Sequence, residues 1–474
     1  MTDKHETWKT PHLITLPVEE REKIFSAALD VLQRTGICIH DKKTLGTLGD
    51  AGARIDGNRA YIPSNLVDRA LESAPREIQI YTRDGEPAMR LAGSNCYFGN
   101  GTDCPNILDP FTGQRRAFLK SDIENAGILC DALSNMDFVM PTGVASDMPA
   151  SNSDIHQFHA MMMNTHKPII FTSYTPENQR DIIKIASIAA GGEKELREKP
   201  FVISYPQPIS PLTYNKEVCE KLRFCAENMI PVICTTAPMS GASAPVTAEG
   251  TMVLCLAECL SAIVIGQLIN PGAPMITIGI PIVLNMKTAA ISFDAPELQL
   301  MSTALFDLRE FIKLPRWGMA AATDSKIPDE QAAITAALSC AFQALGRANL
   351  IHGIGCLESG MTTSFELIVL TDEIIGMLRR ILRGVITDPE HLATDVIHEV
   401  GPGGEFLTHT HTFDFFRELW DSELIDRGSF EAWAEKGGKS LVHRIREKIQ
   451  DILKNHKPKP LSIEKTNAIS EILL

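Results

Sequence analysis

The sequence predicts a TIM barrel, a closed (β/α)₈ fold, with a small N-terminal α/β extension and C-terminal helices. Eight short apolar runs end in small or polar residues, and a helical pattern follows each run. The runs recur at intervals of roughly 30 to 45 residues, as expected for parallel strands joined by crossover helices. They are Asn95–Asn100, Asp137–Gly143, Pro168–Tyr174, Phe201–Gln207, Pro231–Pro238, Pro274–Ile280, Pro315–Ala322 and Asn349–Gly355.

The segments between these runs carry helix start signals. Thr175 and Pro176 precede the helical pattern Arg180–Ala190, and Asp329 precedes the pattern Ala332–Leu345. Strands that are apolar throughout are typical of parallel sheets buried on both faces. An open doubly wound sheet is the alternative, but it normally carries a G-x-G-x-x-G turn, which this sequence lacks. Eight units over roughly 260 residues therefore favour the barrel.

The chain on either side of the predicted barrel has a different pattern. An amphipathic helix over Glu19–Thr35 stops at Gly36, and the segment IDGNRAYI predicts a hairpin. A glycine-rich segment, GPGG, follows the last barrel helix, and Ser429–Lys454 predicts one charged helix. The predicted division is 1–90 for the extension, 91–400 for the barrel, and 401–474 for the C-terminal glycine-rich segment and helices.

Composition excludes several classes of protein. The 59 acidic and 45 basic residues leave a net charge of −14, which argues against binding to nucleic acid or to an anionic membrane. The most apolar stretch, Leu254–Ile269, is interrupted by Glu258 and Gln267, so no membrane span is predicted. Eleven cysteines without a C-x-x-C pair indicate reduced thiols. With no apolar signal segment at the N-terminus, the expected location is the cytoplasm.

Candidate site residues follow from the rule that TIM barrels carry their active sites at the carboxyl ends of the strands. These ends supply Tyr97, Asn100, Thr102, Asp103, Ser173, Tyr174, Tyr205, Gln207, Thr236, Met239, Asp324, Lys326, His352, Glu358 and Ser359. Three of the six tyrosines fall in or at the end of barrel strands, and Trp317 lies near the beginning of the seventh. Such clustering favours a pocket for a quaternary ammonium ligand, although aromatic rings also fill barrel cores.

Two histidine pairs and two lysines are candidates for other chemistry. His156 and His159 are three residues apart, and His409 and His411 flank one threonine, but neither pair has the third ligand that a metal site needs. No metal is therefore predicted. Lys287 and Lys326 lie near strand ends and could be Schiff-base nucleophiles, or they could be solvated or ion-paired.

Several longer segments resemble a known family. They are ALDVLQRTGICI and YIPSNLVDRALESAP near the N-terminus, ATDSKIPDEQA (Ala322–Ala332), HGIGCLESGMTTSFE (His352–Glu366) and VGPGGEFLTHTHT (Val400–Thr412). With these segments the chain resembles the trimethylamine methyltransferase family, and within it the non-pyrrolysine branch typified by glycine betaine:corrinoid methyltransferase. The last three segments together are specific to this family.

The resemblance implies a barrel enzyme that moves a methyl group from a methylated amine to the cobalt of a separate corrinoid protein. Gly355–Gly360, which aligns with the pyrrolysine region, contains no pyrrolysine. The implied substrate is therefore a quaternary amine, with glycine betaine, giving dimethylglycine, as the first choice. Proline betaine, carnitine and γ-butyrobetaine are the alternatives. The chain lacks the D-x-H-x-x-G cobalamin signature, so the corrinoid is expected on a partner protein.

A quaternary ammonium already carries its positive charge, so the enzyme's task is positioning and electrostatics. The residues expected to bind the amine are Tyr97, Asn100, Tyr174, Tyr205, Gln207, His352, Glu358 and Phe365. The residues expected to face the corrinoid are Asp324, Gly403, His409 and His411. Rival hypotheses are a Schiff-base barrel lyase and a betaine-binding protein without catalysis. A homo-oligomer is also expected.

Overall fold

A computed structural model describes residues 11–101 and 103–473 of the chain. Thr102, named above as a strand end, lies outside the described residues. Residues 1–10 also lie outside the described residues. The prediction that the N-terminus has no secretory signal rests mostly on these residues.

Eight parallel segments close into a ring. They are β1 (Tyr97–Asn100), β2 (138–139), β3 (Ile169–Phe171), β4 (Val202–Ser204), β5 (Val232–Ile233), β6 (Met275–Ile276), β7 (Trp317–Met319) and β8 (Leu350–Ile354). β3 to β6 form one hydrogen-bonded sheet, and β7, β8 and β1 form another. β2 bridges to β1 at Gly99 and to β3 at Ile169. A bridge from Thr277 to Arg316 joins β6 to β7 and completes the ring.

One long α-helix follows each strand of the ring. These helices are Lys120–Ala132, Ser153–Asn164, Pro176–Ala190, Lys216–Asn228, Ala248–Ile269, Pro296–Phe306, Glu330–Leu345 and Phe365–Leu382. The predicted start signals are present, because the Thr175 hydroxyl and the Asp329 carboxylate each accept a hydrogen bond from an amide of the first helical turn. This order of strands and helices is that of the predicted TIM barrel.

A hairpin of Ile78–Tyr81 and Pro87–Leu91 closes the amino end of the barrel. It leads directly into β1, and the amide of Tyr81 donates to the carbonyl of Pro200, just before β4. Apolar side chains from both hairpin strands join the buried cluster that fills the barrel interior. Because the amino end is filled in this way, the carboxyl end is the side left for a pocket.

The N-terminal extension is a small α/β layer packed on the barrel. Its elements are the helices Val18–Asp30, Lys42–Asp50 and Ser64–Ser73, a π-helical turn at Val31–Thr35, and the strands Ile37–Ile39, Arg54–Asp56 and Arg59–Tyr61. The predicted helix stop and hairpin are both observed, since Gly36 has a φ of 70° and Gly57 forms the hairpin turn. The strand Thr213–Tyr214, which follows β4, pairs with the sheet of the extension. The domain boundaries at residues 90 and 400 stay a prediction.

Two small sheets follow the carboxyl ends of the barrel strands. One consists of Met239–Ser240, Ile282–Asn285 and Ala290–Ser292, and the other of Asn106–Leu108, Arg115–Ala117, Cys356–Leu357 and Thr362–Ser364. Short helical turns elsewhere in the barrel are Glu193–Glu198, Asp307–Glu310 and Glu358–Gly360. These sheets build the rim around the predicted pocket.

The C-terminal region is a series of helices. They are Pro389–Leu392, Thr394–Val400, Thr410–Phe415, Phe416–Glu418, Phe430–Glu435, Leu441–Asn455 and Ile463–Leu473. The prediction of one helix over Ser429–Lys454 is wrong. Gly437 and Gly438 have φ values of 95° and 59°, and this left-handed backbone separates two helices.

The helix Ala248–Ile269 contains the apolar stretch for which the sequence predicts no membrane span. It has 22 residues, so by length and composition alone it is a candidate span. However, 83 % of its most apolar window is buried inside the protein. The extension helices Val18–Asp30 and Ser64–Ser73 pack against it, which explains why it is apolar on all sides.

The contact between β1 and β2 provides a test of barrel closure. A Cβ at Gly99 would overlap the Phe138 ring, whereas a Cβ at Gly46, an exposed position of the helix Lys42–Asp50, meets no atom within 4 Å. We expect Gly99→Ala to lower the free energy of unfolding by about 1–3 kcal/mol because of overpacking. The control Gly46→Ala should raise it by about 0.5–1 kcal/mol. Urea denaturation measures both, and equal effects would contradict the close approach.

Candidate active site

Three aromatic side chains pack together inside the barrel. Trp317 on β7 lies parallel to His352 on β8, with ring centroids 4.1 Å apart and planes inclined by 14°. Tyr205, directly after β4, meets Trp317 edge-on at 5.4 Å and His352 at 6.3 Å. Trp317 and His352 are buried, while part of the Tyr205 surface stays accessible. The sequence-predicted residues Tyr205 and His352 are thus brought together, with Tyr205 on the side of the carboxyl ends.

The protonation of His352 follows from its surroundings. Its Nδ1 lies 2.8 Å from the carbonyl oxygen of Gly318, and because a carbonyl only accepts, Nδ1 carries the proton. Burial lowers the pKa of His352 to about 4, so the ring is neutral at physiological pH. Its only N–H is therefore used by Gly318. His352 therefore has no N–H left to donate to a substrate carboxylate, and its predicted contact with the amine stays a prediction.

Unpartnered hydrogen-bond donors collect around Tyr205. Burial raises the pKa of Tyr205 to about 12, so the phenol keeps its proton. The nearby Trp317 and Thr235 side chains oppose this rise only in part. The indole Nε1 of Trp317 and the hydroxyl of Thr235 are buried, and neither has a partner in a hydrogen bond of good geometry. Because buried polar groups normally have partners, these donors indicate a place for a polar ligand group.

Asp103 is an acidic residue at the carboxyl ends of the strands. It follows β1, and the hydroxyl of Thr172, directly after β3, lies 3.2 and 3.4 Å from its two carboxyl oxygens. Burial raises the pKa of Asp103 to about 6, and the charge of Asp154 adds to the rise. No basic side chain forms an ion pair with Asp103 among residues 11–101 and 103–473. At neutral pH the pocket therefore holds a carboxylate without a cation.

Apolar side chains complete the rim. Met239 after β5 and Phe293 after β6 are partly accessible and pack against the cluster that fills the interior. The sequence analysis placed Met239 at a strand end but missed Phe293, because it lies in a connection without a strand signal. Alternation along the run Pro231–Pro238 could have pointed to Thr235, two residues after the inward-facing Ile233.

Asp324 holds this rim together. Its carboxylate accepts hydrogen bonds from the Ser292 hydroxyl at 2.6 Å, the Phe293 amide at 2.7 Å and the Ser359 hydroxyl at 2.8 Å. These bonds fix the connection after β6 to the ends of β7 and β8. Asp324 is thus a positioning residue, and its predicted role of facing a corrinoid stays a prediction.

Three predicted amine-binding residues lie outside the pocket. Tyr97 begins β1 at the amino end, where its hydroxyl accepts from the Arg90 amide at 3.0 Å. Asn100 is fully buried, and its side chain binds the amide and carbonyl of Met140 at 2.9 and 3.0 Å. Phe365 is buried in the cluster between the strands and the surrounding helices. The structure therefore does not place these three side chains where the sequence predicted them.

Three others lie at the carboxyl ends but away from the interior. Tyr174 is 40 % exposed, and its hydroxyl accepts from Ser153 on the following helix at 3.2 Å. Glu358, in the turn Glu358–Gly360, pairs with Arg115 on the strand Arg115–Ala117 at 2.9 Å. Gln207 is exposed. Their predicted contact with the amine stays untested.

The segment Gly401–Thr412 is attached at the opposite end of the barrel. The chain leaves the barrel after Leu382 and returns at Trp420, which lies against Gly376 and Asn135 at the amino end. Within the segment, His409 caps the helix Thr410–Phe415, and its other ring nitrogen lies 3.5 Å from Glu399. His411 donates to the Glu390 carbonyl at 3.1 Å, and Gly403 is exposed. The structure therefore does not place Gly403, His409 and His411 at the mouth of this barrel, where the prediction that they face a corrinoid requires them.

The other candidate groups do not converge on the pocket. Lys287 is exposed in a hairpin, and the ammonium of Lys326 donates to the Asp324 carbonyl at 2.7 Å, so neither lies in the barrel interior. His156 and His159 share the helix Ser153–Asn164, and burial lowers the pKa of both. Within the described part of the chain, no three His, Cys, Asp or Glu side chains form a metal-binding group. That the protein binds no metal stays a prediction.

His352 predicts a pH dependence of stability. Its pKa falls from 6.5 in the unfolded chain to about 4 in the folded protein, so between these values only the unfolded chain binds the proton. Stability is therefore lost as the pH falls through this range. The variant His352→Phe keeps a ring against Trp317 but has no group that titrates in this range. When the pH falls from about 7 to about 4, we expect its free energy of unfolding to decrease by up to about 3 kcal/mol less than that of the wild type.

Urea denaturation at the two pH values measures this difference. The exposed His443, on the helix Leu441–Asn455, provides the control variant His443→Phe, which should behave as wild type. Parallel pH profiles of wild type and His352→Phe would show that His352 titrates normally in the folded protein.

Two relatives match almost the whole chain. The trimethylamine methyltransferase MttB of Desulfitobacterium hafniense is 33 % identical over 445 residues, which cover 94 % of this chain and 90 % of that protein. The glycine betaine methyltransferase of Desulfitobacterium hafniense (strain Y51) is 30 % identical over 457 residues, covering 96 % and 95 %. Both matches cover at least 90 % of each chain.

The solved structure of the monomethylamine methyltransferase MtmB of Methanosarcina barkeri has a similar fold. It superposes with a TM-score of 0.54 at 12 % identity and covers 93 % of this chain and 89 % of that one. The family profile described as Trimethylamine methyltransferase (MTTB) matches residues 3–473. The chain is therefore a methyltransferase that belongs to the trimethylamine methyltransferase family.

Proposed function

We propose that this protein transfers a methyl group from a quaternary amine, with glycine betaine as the first choice, to a corrinoid carried by a partner protein. The proposal rests on one observation, which is that an acidic group and a set of hydrogen-bond donors lie at the same end of the barrel. Asp103 is a carboxylate without a cationic partner among the described residues, and unpartnered donors lie deeper, around Tyr205. A betaine carries the complementary charges, a permanent cation and a carboxylate.

The cation of the substrate fits the rim. The Asp103 carboxylate attracts it, and the faces of Tyr205 and Phe293 offer π-electron density that contributes roughly 0.5–2 kcal/mol for each ring. A quaternary ammonium cannot donate a hydrogen bond, so charge and aromatic faces are the interactions open to it. These residues would hold the ammonium with its methyl groups near the mouth.

The carboxylate of the substrate fits the donors below. The Trp317 indole N–H, the Thr235 hydroxyl and the Tyr205 phenol are the uncharged donors of this region. Hydrogen bonds to a carboxylate are stronger than neutral ones, so three donors in a buried site would orient the substrate. Trimethylamine has no such group. This favours a betaine over trimethylamine, with proline betaine, carnitine and γ-butyrobetaine as alternatives.

The corrinoid supplies a Co(I) nucleophile that accepts the methyl group, and the leaving amine is neutral, so this chain needs no acid to protonate it. The chain's residues bind the amine, orient it and exclude water. The sequence lacks the D-x-H-x-x-G signature, which supports a corrinoid carried by a partner. A cytoplasmic location, a homo-oligomeric state and the absence of nucleic-acid or membrane partners belong to the same proposal.

Asp103 provides a pH-dependent test. Its pKa of about 6 means that the carboxyl group is neutral below this pH and charged above it. If the cation binds only to the charged form, affinity for glycine betaine should rise about tenfold between about pH 5 and pH 7. Asp103→Asn, which is never charged, should bind more than about tenfold more weakly at pH 7 and lose the dependence. Calorimetry measures the affinity, with Glu198→Gln, at an exposed helix end, as the control.

Methyl transfer provides the second test. Purified protein is incubated with cob(I)alamin and a panel of methylated amines, and the absorbance change reports methylation. We expect activity with glycine betaine and not with trimethylamine. Thr235→Val removes one donor. The KM for glycine betaine should therefore rise by the factor that corresponds to a loss of about 1 kcal/mol in binding free energy. The affinity for tetramethylammonium, which has no carboxylate, should stay the same.

Two outcomes would contradict the proposal. Activity with trimethylamine but with no betaine would show that the substrate has no carboxylate. Saturable binding of glycine betaine without methylation of cob(I)alamin, even with the cognate corrinoid protein, would favour the betaine-binding protein that the sequence left as a rival.

A further inference from the structure

A second cavity lies at the amino end of the barrel, beside the start of β7 and β8. Its volume is about 340 Å³. The turn 92–94, which leads into β1, forms one wall, and the chain from Arg309 to Arg316, which leads into β7, forms another. Arg347, just before β8, forms the third. The cavity is thus at the opposite end of the barrel from the candidate active site.

The lining of this cavity is strongly basic. Its charged side chains are Arg76, Arg309, Lys313, Arg316 and Arg347, and no acidic residue lines it. None of these five forms an ion pair with a carboxylate among residues 11–101 and 103–473. In a chain with a net charge of −14, five basic side chains in one cavity without an acid are not expected from composition.

The acidic residues on either side of Arg309, Asp307 and Glu310, are already occupied. Asp307 accepts hydrogen bonds from the amide and hydroxyl of Thr15 at 2.7 and 2.9 Å and from the amide of Leu16 at 2.9 Å. Glu310 pairs with Arg21 at 3.2 Å. These carboxylates belong to the contact with the extension. The charge of Asp307 raises the pKa of Arg316, but this effect is smaller than the repulsion from Arg309 and Arg347.

Arg316 is the buried centre of the cluster. Its residue is only 6 % exposed, and Nη2 donates to the Gly93 carbonyl at 2.8 Å, but Nε has no hydrogen-bond partner. Burial and repulsion from Arg309 and Arg347 lower the pKa of Arg316 to about 10, so it remains charged at neutral pH. The Nε of Arg347 is also buried without a partner. Buried charges are normally paired, so these donors require an acceptor.

We propose that this cavity binds a phosphate-type oxyanion, either free phosphate or pyrophosphate or the phosphate end of a larger ester. Guanidinium groups present planar pairs of N–H donors that match phosphate oxygens, and several of them neutralise a multiply charged anion. The cavity is larger than one phosphate group, which leaves room for a second phosphate or an ester. Such an anion would satisfy Arg316 and Arg347 together.

Calorimetry with orthophosphate, pyrophosphate and adenosine diphosphate, at constant ionic strength and against chloride, tests the proposal. We expect saturable binding with a Kd of about 1 mM or tighter for at least one of them. Tighter binding of adenosine diphosphate than of pyrophosphate would identify an ester as the ligand, and the reverse order would identify the free anion.

Variants locate the site. Arg309 and Arg347 are only partly buried. The variants Arg309→Gln and Arg347→Gln should each weaken anion binding about tenfold or more. Arg180→Gln, on an exposed helix face, removes the same charge elsewhere and should leave binding unchanged. The proposal is overturned if none of the three anions binds saturably, or if the Arg309 and Arg347 variants bind as tightly as wild type.

Discussion

The stack of Trp317 on His352 is the contact on which the interior of the barrel depends. The two rings lie on neighbouring strands, and the hydrogen bond from His352 to the Gly318 carbonyl fixes their orientation. Below them, the hairpin before β1 fills the amino end. Space for a ligand is therefore left above the rings, where Tyr205 remains partly accessible. Because this stack is uncharged, the pocket has an apolar floor with donors at its edge.

The electrostatics of the pocket follow from that floor. A carboxylate such as Asp103, surrounded by buried side chains and without a basic partner among the described residues, has an elevated pKa. A neutral His352 adds no positive charge. A cation that enters this end meets an uncompensated negative charge in a medium that screens it poorly. Preorganised charge of this kind is what a substrate with a permanent cation requires, since it cannot be held by proton transfer or hydrogen bonds.

The sequence predicted the barrel and several of its helix ends because apolar runs and capping residues are local signals. It did not predict on which side of a strand each residue lies. Phe98 and Phe365 pack outside the ring while Tyr97 points inward at the closed end, and only the register of the assembled barrel decides this. Phe293 and the attachment of Gly401–Thr412 depend on contacts between distant segments. Family motifs mark such segments without saying which end of the barrel they occupy.

The two ends of the barrel differ in charge, and helix dipoles alone do not account for the basic end. Helices in this fold finish at the amino end of the strands, so Arg309 and Arg347 lie just beyond the helices that end at Phe306 and Leu345. A helix C-terminus offers roughly half a negative charge, and Arg316 also contacts the Phe306 carbonyl at 3.5 Å. Two such ends balance about one of the five positive charges. The remaining charge must be met by solvent or by an anion, and a buried Arg316 has little access to solvent.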